Sequence, residues 1–134
     1  MRIEIFTLCD AAADYQGKMS LLGTFDTIRT KKMTAIHPQC AIALRLRFSW
    51  LEQGDHAISI KLVDEDGKQI IPSLNANAKV RFSETMQGSI ATNMILNLYR
   101  LKFEHYGEYS IDLVIDGNEE ASLPLYVKET PKEA

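Results

Sequence analysis

Three groups of side chains in this sequence have the types that chemistry uses. His37 and Cys40 stand at i and i+3, and with Cys9 and Asp10 they would offer Zn²⁺ three soft ligands and a carboxylate. The spacing argues against it. There is no Cys-x-x-Cys and no close pair of histidines, Cys40 fits the apolar parity of a strand, and His37-Pro38 reads as a turn ahead of that strand. Cys9 beside Asp10 could serve as a thiol nucleophile if a histidine lay against it, but a reactive thiolate needs a base in contact and an electropositive pocket. Asp64-Glu65-Asp66-Gly67 begins like a Ca²⁺ loop, yet the distal bidentate Glu falls at Leu74 or nearby and is missing, so a solvated hairpin turn is the simpler reading. No catalytic, cofactor-binding or metal-binding residue is assigned, and no cofactor is expected.

The elements that would have to position such groups are strands. In Cys40–Trp50, six apolar residues (Cys40, Ile42, Leu44, Leu46, Phe48 and Trp50) share one parity, with Arg45, Arg47 and Ser49 on the other. A helix would scatter those six around its circumference. Ile58, Ile60 and Leu62 form a second alternating run, and Asp64–Gly67 turns it toward Gln69–Ile71. Leu74–Phe82 alternates again. Ile90–Phe103 is apolar on both parities and reads as a strand with a bulge near Leu98, with a short helix as the alternative. Tyr109–Ile115 and Ala121–Val127 flank Asp116-Gly117-Asn118, a strong hairpin signal. Pro124 cannot donate to a ladder, which places this last strand at a sheet edge. Arg2–Leu8 and Met19–Ile28 supply two more strands, separated by Asp10–Gly17. The expectation is an all-β, immunoglobulin-like two-sheet antiparallel β-sandwich of seven to nine strands, with one domain over 1–128 and a polar tail over 129–134.

Length and composition agree with that. A chain of 134 residues with 46% hydrophobic and 25% charged residues can bury an ordinary core as one domain. Fifteen basic against eighteen acidic side chains give a net charge of −3, so nucleic acid is not an expected partner. Neither a signal-peptide block nor an apolar run of membrane-spanning length stands out. A cytoplasmic location follows, and with it free thiols at Cys9 and Cys40, whose proximity the sequence leaves open.

Certain residues together suggest a family. An opening strand that ends in Cys9-Asp10-Ala11-Ala12 is followed by Gly17-Lys18 and by Leu22-Gly23-Thr24-Phe25-Asp26-Thr27-Ile28. Gly54-Asp55-His56, the Asp64–Gly67 turn, Gly107-Glu108-Tyr109, and Asp116-Gly117 ahead of Leu123-Pro124-Leu125 complete the pattern. With these the chain resembles a group of small uncharacterised bacterial proteins classed as a domain of unknown function. The resemblance spans nearly the whole chain and implies a β-sandwich in a bacterial cytoplasmic protein. It implies no activity, substrate or catalytic residue.

Binding is the function class left in front. Phe6, Leu8, Leu22, Ile28, Val114 and Tyr126, with Val63, fall on the wet parity and would form an interface if they were contiguous. Arg45, Arg47, Lys61, Lys79 and Arg81 would form a basic stripe if their strands shared a sheet. Otherwise they form a solvated face balanced by Asp112, Asp116 and Glu119. Tyr109 after Gly107-Glu108 looks like a tyrosine corner, and Trp50 like a structural aromatic. The expected function is a non-enzymatic binding or assembly module that self-associates, as a two-fold homodimer, or holds a protein partner through a sheet face. The alternative is a small hydrolase or isomerase with a loop-borne site. It requires a pocket that gathers His37, His56 or His105 with Cys9 or an Asp.

Overall fold

The structure is a computed structural model that describes residues 1–83 and 88–131. Alternation along the chain becomes strands β1 (Arg2–Tyr15), β2 (Lys18–Thr24), β3 (Thr27–Thr30), β4 (Ala35–Ser49), β5 (Gly54–Val63), β6 (Leu74–Val80), β7 (Ser89–Phe103), β8 (Gly107–Ile115) and β9 (Asn118–Glu129). A short 3₁₀ turn, Trp50–Glu52, joins β4 to β5. The strands make two sheets, in the orders β2-β1-β4-β7 and β3-β9-β8-β5-β6. Every pairing is antiparallel except β3 with β9.

The inward parity of β4 (Ile42, Leu44, Leu46 and Phe48) packs against Ile58 and Ile60 of β5 and Ile111 and Leu113 of β8. Each such side chain withdrawn from water contributes about 1.5–3 kcal/mol, which is what holds the sheets face to face. The chain is thus all-β with two packed sheets, and Ile90–Phe103 is a strand. Across from each other in the β4–β7 ladder stand Pro38, which has no N–H, and Arg100, whose φ is 55°. Beyond this pair both strands turn over: Ala35, Leu101 and Phe103 are buried where the alternation of Cys40–Phe48 and Leu96–Leu98 would place their neighbours.

Several sequence expectations change. The opening strand does not stop at Leu8 but runs to Tyr15, and Met19–Ile28 is two strands in different sheets, with the chain crossing at Phe25-Asp26. Gln69–Ile71 makes only one bridge to β5, Val63 with Gln69, and the strand that pairs with β5 is β6. β9 is not an edge, because β3 lies beside it. Pro124 is still tolerated, since β3 begins its pairing only at Tyr126, two residues further on. Trp50 leaves the parity of β4 as the 3₁₀ turn begins and is 59% exposed. Of the tail, Glu129 ends β9, while 132–134 lie outside the described residues.

The β1–β2 hairpin gives the four-stranded sheet its shape. β1 pairs with β4 from Arg2 to Cys9 and with β2 from Cys9 to Tyr15, so beyond Cys9 the two strands form an arm of their own. The arm curls over the outward side of the sheet. Ala12, Met19 and Leu21 on its inner side pack with Ile5 and Ile95 around Cys9, Ala41 and Ala43, which are fully buried there. At its tip the carbonyl of Gly17 accepts a hydrogen bond from Asn93 Nδ2 of β7, 3.2 Å away. A second, small apolar cluster therefore lies on the far side of the sheet from the main core. Small side chains at Cys9, Ala41 and Ala43 let the arm come that close.

Candidate functional site

Outward-facing side chains divide the molecule sharply. Across the five-stranded sheet they are mostly polar: Asp55, Ser59 and Lys61 on β5, Asn75, Asn77 and Lys79 on β6, Ser110 and Asp112 on β8. The four-stranded sheet differs. Tyr15, Leu22, Ile36 and Tyr99 on its strands, and Trp50 and Leu51 in the turn after β4, are each at least 58% exposed. Among the described residues the five-stranded sheet contributes no exposed large apolar side chain. Tyr15 and Leu22 share the outer side of the arm, since Leu22 pairs with Ala11 and Tyr15 with Lys18 while Met19 and Leu21 point the other way.

Polar side chains lace the same sheet together. A bulge between Ile3 and Ile5 inserts Glu4 into β1. Its carboxylate accepts Arg45 Nε at 3.0 Å and Arg47 Nε at 2.9 Å, and these guanidinium groups, Arg47 above all, hold its pKa down at about 2. The arginines reach on to β7, Arg45 to Asn93 Oδ1 at 2.9 Å and Arg47 to Ser89 Oγ at 3.0 Å. Asn93 thereby joins this lattice to the tip of the arm.

The bulge also overturns part of the expected interface. It shifts the parity of β1, so Phe6 and Leu8 face the main core instead of water. Ile28 is buried as well, because the chain has crossed into the other sheet before it. Val63, Val114 and Tyr126 are half-buried on the five-stranded sheet, Tyr126 beneath the Lys128 ammonium 5.2 Å from its ring. Leu22 alone of the expected set stands on the exposed apolar side, so those residues do not form one patch. The basic stripe does not form either. Arg45 and Arg47 belong to one sheet, while Lys61 and Lys79 belong to the other and Arg81 follows it.

The groups that could do chemistry are dispersed. Cys9 and Cys40 sit on adjacent strands, but Cys9 is in the small cluster beneath the arm and Cys40 in the main core, on opposite sides of one sheet. Both are free and buried. Cys9 donates to the Ala41 carbonyl at 3.5 Å, and burial raises its pKa with help from the Asp10 charge. Burial pushes Cys40 up to about 11. Neither is the activated thiol a nucleophile requires. His37 lies beside Phe25, ring centres 5.5 Å apart. Among the described residues no three His, Cys, Asp or Glu gather as a metal site. The Asp64–Gly67 acids serve the fold: Asp64 Oδ1 accepts the amides of Asp66 and Lys68, each at 2.9 Å, and Glu65 accepts the amide of Glu108 at 2.8 Å.

Asp64 does share a cleft of about 160 Å³ with His105, Lys68, Lys102, Glu104 and Tyr109. His105 Nε2 stands 3.8 Å from Asp64 Oδ2, too far for a hydrogen bond. The Tyr109 hydroxyl is already committed, donating to the His105 carbonyl at 2.8 Å. Cys9 is not part of this cleft. Its volume falls below the ~300 Å³ at which most small-molecule pockets begin.

His56, one of the three histidines of the enzyme alternative, stands beside an Asp, yet the pair ties the opposite end of the molecule. Its Nδ1 donates to Asp116 Oδ2 at 2.7 Å and its Nε2 to the Glu52 carbonyl at 2.6 Å, while the ring stacks on Phe48. Two acceptors require two N–H groups, so the imidazolium fits the site and the neutral ring does not. The Glu52 carbonyl first and the Asp116 carboxylate second raise the pKa of His56 above its ordinary 6.5. A group whose pKa is raised on folding stabilises fully below its unfolded value, and that contribution fades as pH climbs through the folded one. Asp116, lowered from 3.8 chiefly by His56, contributes above its unfolded value and loses this as pH falls. Stability in urea is therefore expected to peak between those limits and to decline above pH 6.5. His56→Gln should remove the decline that begins there, leaving only the fall above about pH 9 that the buried thiols cause, and parallel wild-type and variant curves between the two would refute the assignment.

No curated protein matches the chain. A family of unknown function, DUF6941, matches residues 4–128, from the bulged Glu4 to Lys128 near the end of β9. That span takes in the arm and every strand except the first two residues of β1 and the last of β9, and the chain belongs to this family of unknown function.

Proposed function

We propose that this chain is a non-enzymatic binding or assembly module that associates, with itself or with a protein partner, through its four-stranded sheet. We place it in the bacterial cytoplasm, on an immunoglobulin-like β-sandwich scaffold. The observation that carries the reading is the one-sided distribution of exposed large apolar side chains, which belong to the four-stranded sheet and the turn after it. Scattered surface apolar residues are ordinary, but a surface apolar on one side and polar on the other is how a protein marks the side it covers. Two packed sheets and the Tyr109 corner support the immunoglobulin-like architecture. Free buried thiols suit a reducing compartment.

The test compares two double variants by sedimentation and by co-purification from the source cell. Leu22→Asp with Ile36→Asp places charge on the apolar side, and Lys61→Ser with Lys79→Ser alters the polar side. The first should weaken association at least about tenfold and the second should leave it unchanged. Equal behaviour of the two variants would overturn the reading.

A further inference from the structure

We infer that β7 is built to be an interior strand, and that the strand completing it is the β7 of a second copy of this chain, paired antiparallel about a two-fold axis. The inference rests on the assembly reading above and names its partner and contact.

β7 stands at the end of its sheet and, among the described residues, pairs along its length only with β4. The N–H and C=O groups on its other side form an open row that another strand can match. Its sequence is that of a strand enclosed on all sides. From Ser89 to Tyr99 it carries no charge, no proline and no glycine, and it is apolar on both faces: Ile90, Met94 and Leu96 toward the main core, Ile95 and Tyr99 away from it. Ile90, Met94 and Leu96 touch the core yet remain only half-buried, and among the described residues no strand flanks them on the open side.

The strands at the other three sheet ends are blunted in the ways soluble proteins use, and β1, which pairs only with β4 along Arg2–Leu8 among the described residues, is charged at Arg2 and bulged at Glu4. β3 is four residues long, β6 carries Lys79 with Arg81 just beyond it, and β2 is drawn into the arm and bent at Gly23 with φ 67°. The uncharged stretch of β7 offers about 37 Å of ladder at the rise of an antiparallel strand.

Its self-complementarity points to a second copy. Under a two-fold axis near Met94, the middle of the uncharged stretch, each open backbone group meets an equivalent one in an eight-stranded sheet. No charge opposes the contact. Arg45 and Arg47, the cations on the adjacent strand, are already held by Glu4. Within 89–99 a partner of complementary charge would find nothing to grip, since the β7 cations Arg100 and Lys102 lie beyond that stretch, whereas an uncharged strand of the same pattern would match it.

The test uses the full chain in sedimentation over a wide concentration range, with amide hydrogen exchange at each end of it. Asn97 and Tyr99 are exposed on β7, so Asn97→Lys with Tyr99→Lys supplies the edge charges that the 89–99 stretch lacks. The wild type should dimerise, amides within 89–99 should become more protected as concentration rises, and the double variant should raise the Kd about a hundredfold with an unchanged urea midpoint when both are unfolded at concentrations where the wild type is monomeric. The exchange result on the wild type decides the matter even if the double variant fails to fold. A dimer that survives both lysines, with protection gained outside 89–99, overturns the edge contact and leaves the assembly reading intact. A strict monomer overturns the second copy as partner. If that monomer also co-purifies with no protein in a manner sensitive to Leu22→Asp with Ile36→Asp, the assembly reading falls with it.

Discussion

Tyr109→Ala should cost about 3–5 kcal/mol, whereas Tyr109→Phe should cost only about 1 kcal/mol. The ring is 2% exposed and meets Phe103 edge-on, with centroids 5.0 Å apart, so it joins the end of the four-stranded sheet to the start of β8. Removing it opens a cavity between sheets that cannot collapse, since strands on both sides are held by ladders. Removing the hydroxyl alone leaves that packing and gives up one bond to the His105 carbonyl. A domain of this kind has about 5–15 kcal/mol in all, so the alanine variant would lose a large share of it. Urea unfolding of both variants separates the two contributions. Equal losses would show that the hydroxyl, and not the ring, is what matters.

The second large effect is local. Gly23→Val should release the β1–β2 arm and speed the labelling of Cys9 by a thiol reagent at least about tenfold, with Cys40 still protected. Gly23 holds φ 67°, a conformation that costs a side-chain-bearing residue about 1–2 kcal/mol. A Cβ there would also stand 2.5 Å from Asp10 Oδ2, the carboxylate of the residue after Cys9. The exposed Asp10 carboxylate can swing clear, so the backbone strain is what moves β2 away from β1, next to the Cys9–Thr24 pair. Cys40, in the main core on the other side of the sheet, should not respond. Equal acceleration at both thiols would mean general loosening, and no acceleration would mean that the arm does not depend on Gly23.

What could be read in advance was each strand taken alone. Alternation in Cys40–Phe48 set the inward side of β4, and Asp116-Gly117 fixed the β8–β9 turn, where both residues have positive φ. Gly107-Glu108-Tyr109 marked a tyrosine whose hydroxyl does close on the backbone four residues upstream. Alternation does not say which sheet a strand joins, and that is where the basic stripe failed. Nor does it survive an inserted residue: Glu4 alone reverses the facing of Phe6 and Leu8. The arm left a faint trace in Ala41 and Ala43, two small apolar residues on the supposedly wet parity of β4. Their meaning depended on a hairpin some thirty residues earlier. The open edge of β7 was present as an ambiguity, since apolar residues on both parities are what made Ile90–Phe103 hard to orient.

The pairing of β3 with β9 bears on the order in which the chain can assemble. These segments, Thr27–Thr30 and Tyr126–Glu129, lie about a hundred residues apart. Closing so long a loop is not very expensive at equilibrium, since each doubling of length costs only about 0.6 kcal/mol, but non-local pairings of this kind slow folding to milliseconds or longer. On the ribosome the arm can zip as soon as its two strands emerge. Ile28, a few residues later, has no seat until β9 has been made. The route between the sheets at Phe25-Asp26 is thus laid down early and fastened late, and nascent chains remain open at that seam until synthesis has nearly passed the last strand.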